Sequence, residues 1–134
     1  GVAFNPYAHL RAAAAGDIAA LRLLARSGSL VAAENGDELA MSDALVFARL
    51  AYARSQETHD AGLLLSMLNA AQNLTQSQDA ANSYQAQAIA LMSILAERGV
   101  EIADTWLPAM MDDATAEAAA DVGPIRKLML EGAK

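Results

Sequence analysis

The chain has 134 residues, a formal net charge of −7 and no Cys, and it is 54% hydrophobic with 4% aromatic residues. The length suits a single all-helical domain over residues 1–134, and the missing Cys excludes disulfides, thiolate catalysis and Cys-bound zinc. The nine Lys and Arg residues are spread thinly, so neither nucleic acid nor a membrane surface is expected as a partner.

The composition predicts helices. Ala (33) and Leu (18) are the commonest residues, and both are strong helix formers. Val, Ile and Thr are sparse and form no alternating run that would indicate a strand. We therefore predict an all-α fold of about seven helices in antiparallel hairpins, arranged as an irregular α-α superhelix or an orthogonal helical bundle.

The first part of the chain contains two predicted helices. The first covers residues 7–15 and ends at Gly16, which suits the left-handed conformation of a helix C-terminus. Asp17 is predicted to cap the second helix. That helix begins at Ile18 and is predicted to end at the Ser-Gly-Ser of residues 27–29.

A turn and a long helix follow. Asn35-Gly36-Asp37 predicts a turn with a helix cap. The next helix is predicted from Glu38 to about Arg54, and because it is apolar almost all round we expect it at the centre of the fold. A break is predicted at residues 55–58.

Two amphipathic helices are predicted in the second half. Residues 60–74 place apolar side chains along one side of a helix. The polar residues on its opposite side are Ser66, Asn69 and Asn73. Thr75 and Gln78 fit a capping box for a helix that reaches Arg98 and stops at Gly99.

The last part is predicted to contain shorter helices. Residues 106–111 are apolar, with Pro108 at a predicted helix start. The two Asp residues at 112–113 are predicted to lie in the first turn of an Ala-rich helix, where carboxylates favour the positive end of the dipole. Gly-Pro at 123–124 is predicted to separate that helix from a last one over residues 125–131.

One segment recurs within the chain. The eleven residues from Ile18 to Gly28 return as Ile89 to Gly99 with five identities, which predicts the same local structure for both, a helix with a terminal Gly at positive φ. Such a copied unit is typical of stacked helices that share their faces.

The segment from His9 to Gly28 resembles an ankyrin repeat, in which a helix ending Ala-Ala-x-x-Gly precedes a second one ending Leu-Leu-x-x-x-Gly. The matching residues are Ala12, Ala13, Gly16, Ile18, Leu21, Leu23, Leu24 and Gly28. The resemblance implies helix hairpins and a binding role. A looser α-α superhelix of tetratricopeptide type is the alternative, because the middle helices are long for ankyrin.

Residues with catalytic or metal-binding chemistry are few. His59 lies in Glu57-Thr58-His59-Asp60, but these neighbours lack the i, i+4 spacing of a helical zinc pair, and a polar helix break explains them. No Gly-x-Ser-x-Gly elbow and no phosphate-binding loop occurs. We therefore expect no catalytic residue, no metal and no cofactor, and we predict that the chain is not an enzyme.

The leading prediction is a non-catalytic protein–protein interaction or adaptor domain of helical-repeat type. The alternatives are a self-associating structural domain and a small-molecule-binding bundle or enzyme without a recognisable motif. A cytoplasmic location is expected, and because the chain begins with Gly1 rather than Met, that expectation allows for a removed leader.

The predicted partner-binding residues are Trp106, Leu107, Met110 and Met111. Trp and Met are enriched at protein interfaces, and four large apolar side chains occur here within six positions. The alternative is that this segment covers the end of the hydrophobic core. The methionines predicted to fill the core are Met41, Met67, Met92 and Met129.

Overall fold

The computed structural model describes residues 12–131, of which 87% are helical and none forms a strand. A short helical stretch at residues 12–14 precedes six long helices. These are α1 (Ile18–Asn35), α2 (Glu38–Ser55), α3 (Thr58–Leu74), α4 (Gln78–Glu97), α5 (Glu101–Asp112) and α6 (Ala116–Glu131). The all-α class and the number of about seven helices are confirmed. Most of the predicted first helix, residues 7–15, lies outside the described residues.

Two helix starts follow the predicted capping. The N–H of Ala20 donates to the carboxylate of Asp17 at 2.9 Å, and the N–H of Ala40 donates to that of Asp37 at 3.0 Å. Each bond satisfies one of the backbone donors that a helix leaves open at its N-terminus. The predicted turn before α2 is confirmed, since Gly36 ends α1 in the left-handed conformation with φ 62°.

The predicted end of the second helix at residues 27–29 is wrong. α1 continues through Gly28 to Asn35, and Gly28 does not adopt a positive φ. A Cβ atom on Gly28 would lie 3.0 Å from the Cβ of Ala44 in α2. Gly28 therefore marks a close approach of two helices, because its missing side chain lets α1 and α2 pack tightly.

The two copies of the recurring segment consequently differ. Both are helical, but only the second ends at its Gly, which has φ 83°. After Glu97 the chain turns at Arg98 and Gly99, and the N–H of Val100 donates back to the carbonyl of Leu95 at 3.1 Å. The prediction of identical local structure is confirmed at Gly99 and wrong at Gly28.

Several predicted helix boundaries in the second half are also wrong. Pro108 lies inside α5, which begins seven residues earlier at Glu101, and Pro124 lies inside an unbroken α6. A Pro removes one backbone donor, and here the remaining hydrogen bonds continue the helix on both sides of it. Asp112 and Asp113 accordingly stand at the C-terminus of α5 rather than in the first turn of the next helix.

The predicted capping box before α4 uses a different residue. Ser77 caps the helix, since its hydroxyl accepts a hydrogen bond from the N–H of Ala80 at 3.2 Å. Thr75 instead accepts from the N–H of Ser77 at 3.1 Å, and Gln78 donates to Asn82 at 2.9 Å. The helix therefore begins at Gln78, two residues later than a cap at Thr75 predicts, and Thr75 acts on the preceding turn.

The described residues divide into two compact units, with the boundary between Leu64 and Leu65 inside α3. In the first unit α1 packs against α2, and the two-residue connection between them reverses the chain. In the second unit α4 packs against both α5 and α6. The organisation as a single domain stays a prediction. None of the described helices combines the length and apolarity needed to cross a membrane.

The helix α2 is less central than its composition suggested. One side of it is buried, including Met41, Leu45 and Tyr52. Leu39 and Val46 remain exposed, so the apolar residues do not all enter a core. Two of the four predicted core methionines, Met41 and Met67, are buried.

The first unit contains a partly buried ion pair at the start of α3. Arg22 of α1 donates from Nε and from a terminal nitrogen to the two carboxylate oxygens of Asp60, each at 2.7 Å. Asp60 is 1% exposed and also accepts a hydrogen bond from the hydroxyl of Ser55 at 2.5 Å. Every buried side-chain polar atom among the described residues has a partner. The pair therefore ties α1 to the α2–α3 connection.

Two other residues of the Glu57-Thr58-His59-Asp60 segment also contact α1. Glu57 pairs with Arg22 at 3.2 Å, and Arg26 donates to Nε2 of His59 at 2.7 Å. Because Arg carries only donors, Nε2 of His59 is the acceptor in this contact. No group of three metal-ligating side chains occurs in the described part of the chain. The polar segment of residues 57–60 thus holds the start of α3 against α1.

The ion pair should make stability depend on pH. The two hydrogen bonds from Arg22 hold the pKa of Asp60 below its ordinary value of 3.8, against the opposing effect of burial, and the hydroxyl of Ser55 lowers it further. Because folding depresses the pKa of Asp60, the ion pair contributes fully to the free energy of unfolding at pH values above the pKa of the unfolded state. This contribution is lost as the pH falls through the pKa of the folded state. We expect Asp60→Asn to lower the unfolding free energy by about 2 kcal/mol at neutral pH.

Urea unfolding from pH 7 to pH 3 tests this expectation. The difference in unfolding free energy between the native chain and Asp60→Asn should become smaller below about pH 4. Asp43→Asn on the exposed side of α2 is the control and should change stability by less than about 0.5 kcal/mol. A gap that stays constant down to pH 3 would contradict the assignment.

Two glycines allow a matched test of the α1–α2 contact. Gly62 is exposed inside α3 with nothing within 4 Å of an added Cβ, so Gly62→Ala should stabilise the fold by about 0.5–1 kcal/mol through helix propensity. Gly28→Ala gains the same propensity but places its methyl group 3.0 Å from Ala44. We therefore expect Gly28→Ala to have a clearly lower free energy of unfolding than Gly62→Ala. If both substitutions stabilise the fold equally, the contact between α1 and α2 is loose.

Candidate functional site

A groove of about 460 Å³ lies in the second unit among α3, α4 and α5. We call it the amide groove, because four Asn and Gln side chains line it. Its lining residues are Leu65, Ser66, Asn69, Gln72, Asn73, Gln85, Ala88, Ile89, Met92, Trp106, Met110 and Asp113. All of them belong to the second unit.

Helical spacing builds the three walls of the amide groove. On α5 and just beyond its end, Trp106, Met110 and Asp113 follow one another at i, i+4 and i+7, which is one side of a helix. Residues 85–92 of α4 and residues 65–73 of α3 contribute similar two-turn stripes. Two helical turns measure about 10 Å, so the groove is a short trough.

The structure divides the four predicted partner-binding residues. Trp106 and Met110 line the amide groove, whereas Leu107 and Met111 do not. Met111 is 59% exposed, but it stands about 140° around the helix from Trp106, because successive helical residues are about 100° apart. The predicted patch is therefore two surfaces on different sides of α5.

Trp106 is accessible in the described chain. It is 56% exposed, while the buried contact of α5 is made by the small residue Ala103. The partner-binding prediction required such accessibility. Binding at Trp106 itself stays a prediction.

The other residues of the amide groove were not identified from the sequence. Ser66, Asn69 and Asn73 were recognised only as the polar side of a helix, and Met92 was expected to fill the core. In the structure Met92 is half-buried and lines the groove with them. The one signal in the sequence was the concentration of amides at residues 69–73, which nothing linked to Trp106.

Three of the amides have unused hydrogen-bonding groups. The side chains of Asn69, Gln72 and Asn73 make no hydrogen bond within residues 12–131, and Asn69 and Asn73 are exposed. An Asn or Gln amide carries two donors and one acceptor oxygen. These side chains can therefore pair with a ligand that presents both donors and acceptors.

Gln85 has a structural role in the same groove. Its amide nitrogen donates to the carbonyl of Asp113 at 3.1 Å, and its oxygen accepts from the N–H of Thr115 at 3.2 Å. These two bonds attach the α5–α6 turn to α4. They fix the end of the groove where Asp113 stands.

Asn82 supports the same turn from a buried position. It is 7% exposed, and its side-chain oxygen accepts from the hydroxyl of Thr115 and from Gln78, both at 2.9 Å. The hydroxyl of Thr115 in turn accepts from the N–H of Ala118 at 3.1 Å, which caps α6. The polar network of Gln78, Asn82, Gln85 and Thr115 therefore pre-organises one end of the groove.

The wall that carries Trp106 belongs to a strongly acidic stretch. Between Gly99 and Ile125 the chain contains six carboxylates and no Lys, Arg or His. They are Glu101, Asp104, Asp112, Asp113, Glu117 and Asp121. The nearest basic residues that follow, Arg126 and Lys127, are paired with Glu97 and Glu131. All charged side chains of α5 itself and of the turn after it are therefore acidic.

The arrangement is suited to recognition. It combines an aromatic ring, two thioethers, amides and a single carboxylate, Asp113, in a groove that a ligand can enter from solvent. These groups bind by stacking, hydrogen bonding and charge attraction.

The polar network should contribute more to stability than the amides of the groove. We expect Asn82→Ala to lower the unfolding free energy by about 1–2 kcal/mol, since it removes the buried oxygen that accepts from both Thr115 and Gln78. Asn73→Ala is the matched control and should cost less than about 0.5 kcal/mol. Urea unfolding followed by the fluorescence of Trp106, the only Trp of the chain, measures both. Equal losses would show that the network does not hold the turn.

The roles of these residues rest on the geometry and electrostatics of the second unit. The resemblance of residues 9–28 to an ankyrin repeat stays a prediction. No protein-family model matches the chain, no curated protein matches it, and no solved structure matches it.

Proposed function

We propose that this chain is a non-catalytic protein-interaction domain that binds a segment of a partner protein in the amide groove. The observation that carries the proposal is the half-exposed Trp106 at the edge of that groove. A Trp side chain buries about 150–250 Å² when it is covered. A partner that covers the exposed part of Trp106 would therefore gain favourable hydrophobic free energy. Trp and Met are also enriched at protein interfaces.

The size of the groove supports a short bound segment. A trough about 10 Å long accommodates about three residues of an extended chain, at about 3.3 Å each. Its volume of about 460 Å³ also falls in the range of small-molecule sites, so a small-molecule ligand is the alternative occupant. The three amides without intramolecular partners favour a ligand with repeated donors and acceptors, as a peptide has.

Self-association has weaker support from electrostatics. Each copy carries a net charge of −7, and the α5 wall is the acidic part of the second unit. Bringing two such walls together places like charges side by side, which opposes association.

Photo-crosslinking at two adjacent positions tests the proposal. Met110 lines the amide groove and Met111 does not, so p-benzoylphenylalanine replaces each in turn. We expect Met110→p-benzoylphenylalanine to capture a defined set of proteins from an extract of the source cells. The Met111 variant should not capture that set, and Trp106→Ala added to the Met110 variant should reduce the capture.

Three other outcomes would contradict the proposal. Identical captures from both positions would mean that the groove is not the binding surface. Adducts with a second copy of the chain alone would favour the self-associating alternative. Capture that is unchanged by Trp106→Ala would remove the observation on which the proposal rests.

A further inference from the structure

We infer that the partner segment in the amide groove is an extended, cationic peptide. Its main chain pairs with the side-chain amides of Asn69, Gln72 and Asn73, and a Lys or Arg side chain lies on Trp106 near the carboxylate of Asp113. The inference rests on the proposed function and adds the conformation and charge of the partner.

The unpaired amides select an extended main chain. In a helix the backbone N–H and C=O groups bond to each other, so few remain for a groove. An extended peptide presents one donor and one acceptor per residue to its surroundings. Asn69, Gln72 and Asn73 have the matching groups and no intramolecular partner within the described residues.

The spacing of the amides agrees with this conformation. Asn69 and Asn73 are four residues apart on α3, which separates them by about 6 Å along the helix axis. Alternate residues of an extended chain face the same side and repeat every 6.6 Å or so. Two amides on one helix side can therefore meet two alternate peptide units of a segment that runs along α3.

The charge of the partner follows from the α5 wall. Six carboxylates and no basic residue occur between Gly99 and Ile125, and Asp113 itself lines the groove. The face of an exposed Trp attracts a Lys or Arg side chain by about 0.5–1 kcal/mol, and Trp is the best of the aromatic residues for this contact. An acidic segment would be repelled by the same wall.

A fluorescein-labelled nonapeptide of Arg, Lys, Ser and Gly is a suitable probe, because Gly and Ser keep it from forming a helix. Fluorescence anisotropy with the full chain at 0.15 M salt measures its affinity. We expect the double variant Asn69→Ala/Asn73→Ala to weaken binding about tenfold, which corresponds to two neutral hydrogen bonds. Asn35→Ala, an exposed amide at the end of α1, should leave binding unchanged.

Substitutions at the adjacent residues Asp112 and Asp113 distinguish a specific contact in the groove from attraction to the net negative charge. Asp112 and Asp113 are both exposed, but only Asp113 lines the groove. Asp113→Asn should weaken the peptide severalfold, and Asp112→Asn by less than about twofold. Equal effects of the two substitutions would mean that the peptide follows only the net charge, and the inference would fall.

Variants of the peptide test its extended conformation and its positive charge. Methylation of alternate main-chain nitrogens removes donors without changing charge, so binding should drop about tenfold. A peptide with Glu in place of Lys and Arg should not bind. Unchanged binding of the methylated peptide, or tighter binding of a stapled helix of the same charge, would overturn the extended conformation.

Failure of the inference can be told apart from failure of the proposed function. If the Met110 crosslinks are specific but no cationic peptide binds, the interaction domain stands and the partner chemistry is wrong. If neither occurs, both proposals fall. Trp106→Leu provides a further check, since it should weaken the peptide while circular dichroism shows an unchanged helix content; if that variant unfolds, Asp113→Asn and the double Asn variant decide.

Discussion

The structure depends on helices packed through alanine. Aromatic residues make up only 4% of the chain, and more than half of the buried apolar residues are Ala. Such side chains fill little volume, so helices must approach closely to exclude water. Gly28 against Ala44 in the first unit and the fully buried Ala103 of α5 in the second are products of this constraint.

The same constraint explains why large apolar residues lie at the edges. The buried contact of α5 is made by Ala103, and Trp106, on another side of the helix, is 56% exposed. Leu39 and Val46 of α2 are also exposed, because they lie off the one side of that helix that is buried. The amide groove arises where Trp106 meets the polar side of α3.

Polar networks position what the small apolar residues cannot. In the first unit the buried Asp60 and Arg22 join α1 to the start of α3, and replacing either partner leaves the other without its bidentate bond. In the second unit Gln85 and Asn82 hold the turn that presents Asp113. Both networks connect residues about 30 or more positions apart, so they give each unit a defined arrangement that packing of interchangeable Ala surfaces alone would specify less well.

The residue pattern alone was enough to predict the long helices and several of their capping residues. The caps at Asp17 and Asp37 and the end of α4 at Gly99 were predictable because each depends on hydrogen bonds within a few residues. Gly28 and Pro108 were misread as helix boundaries, since local rules do not show that a neighbouring helix or a continuing ladder overrides them. Only the tertiary structure placed Asn69 and Asn73 beside Trp106 and separated Trp106 from Met111, because those relations depend on how α3, α4 and α5 pack and on the angle around one helix axis.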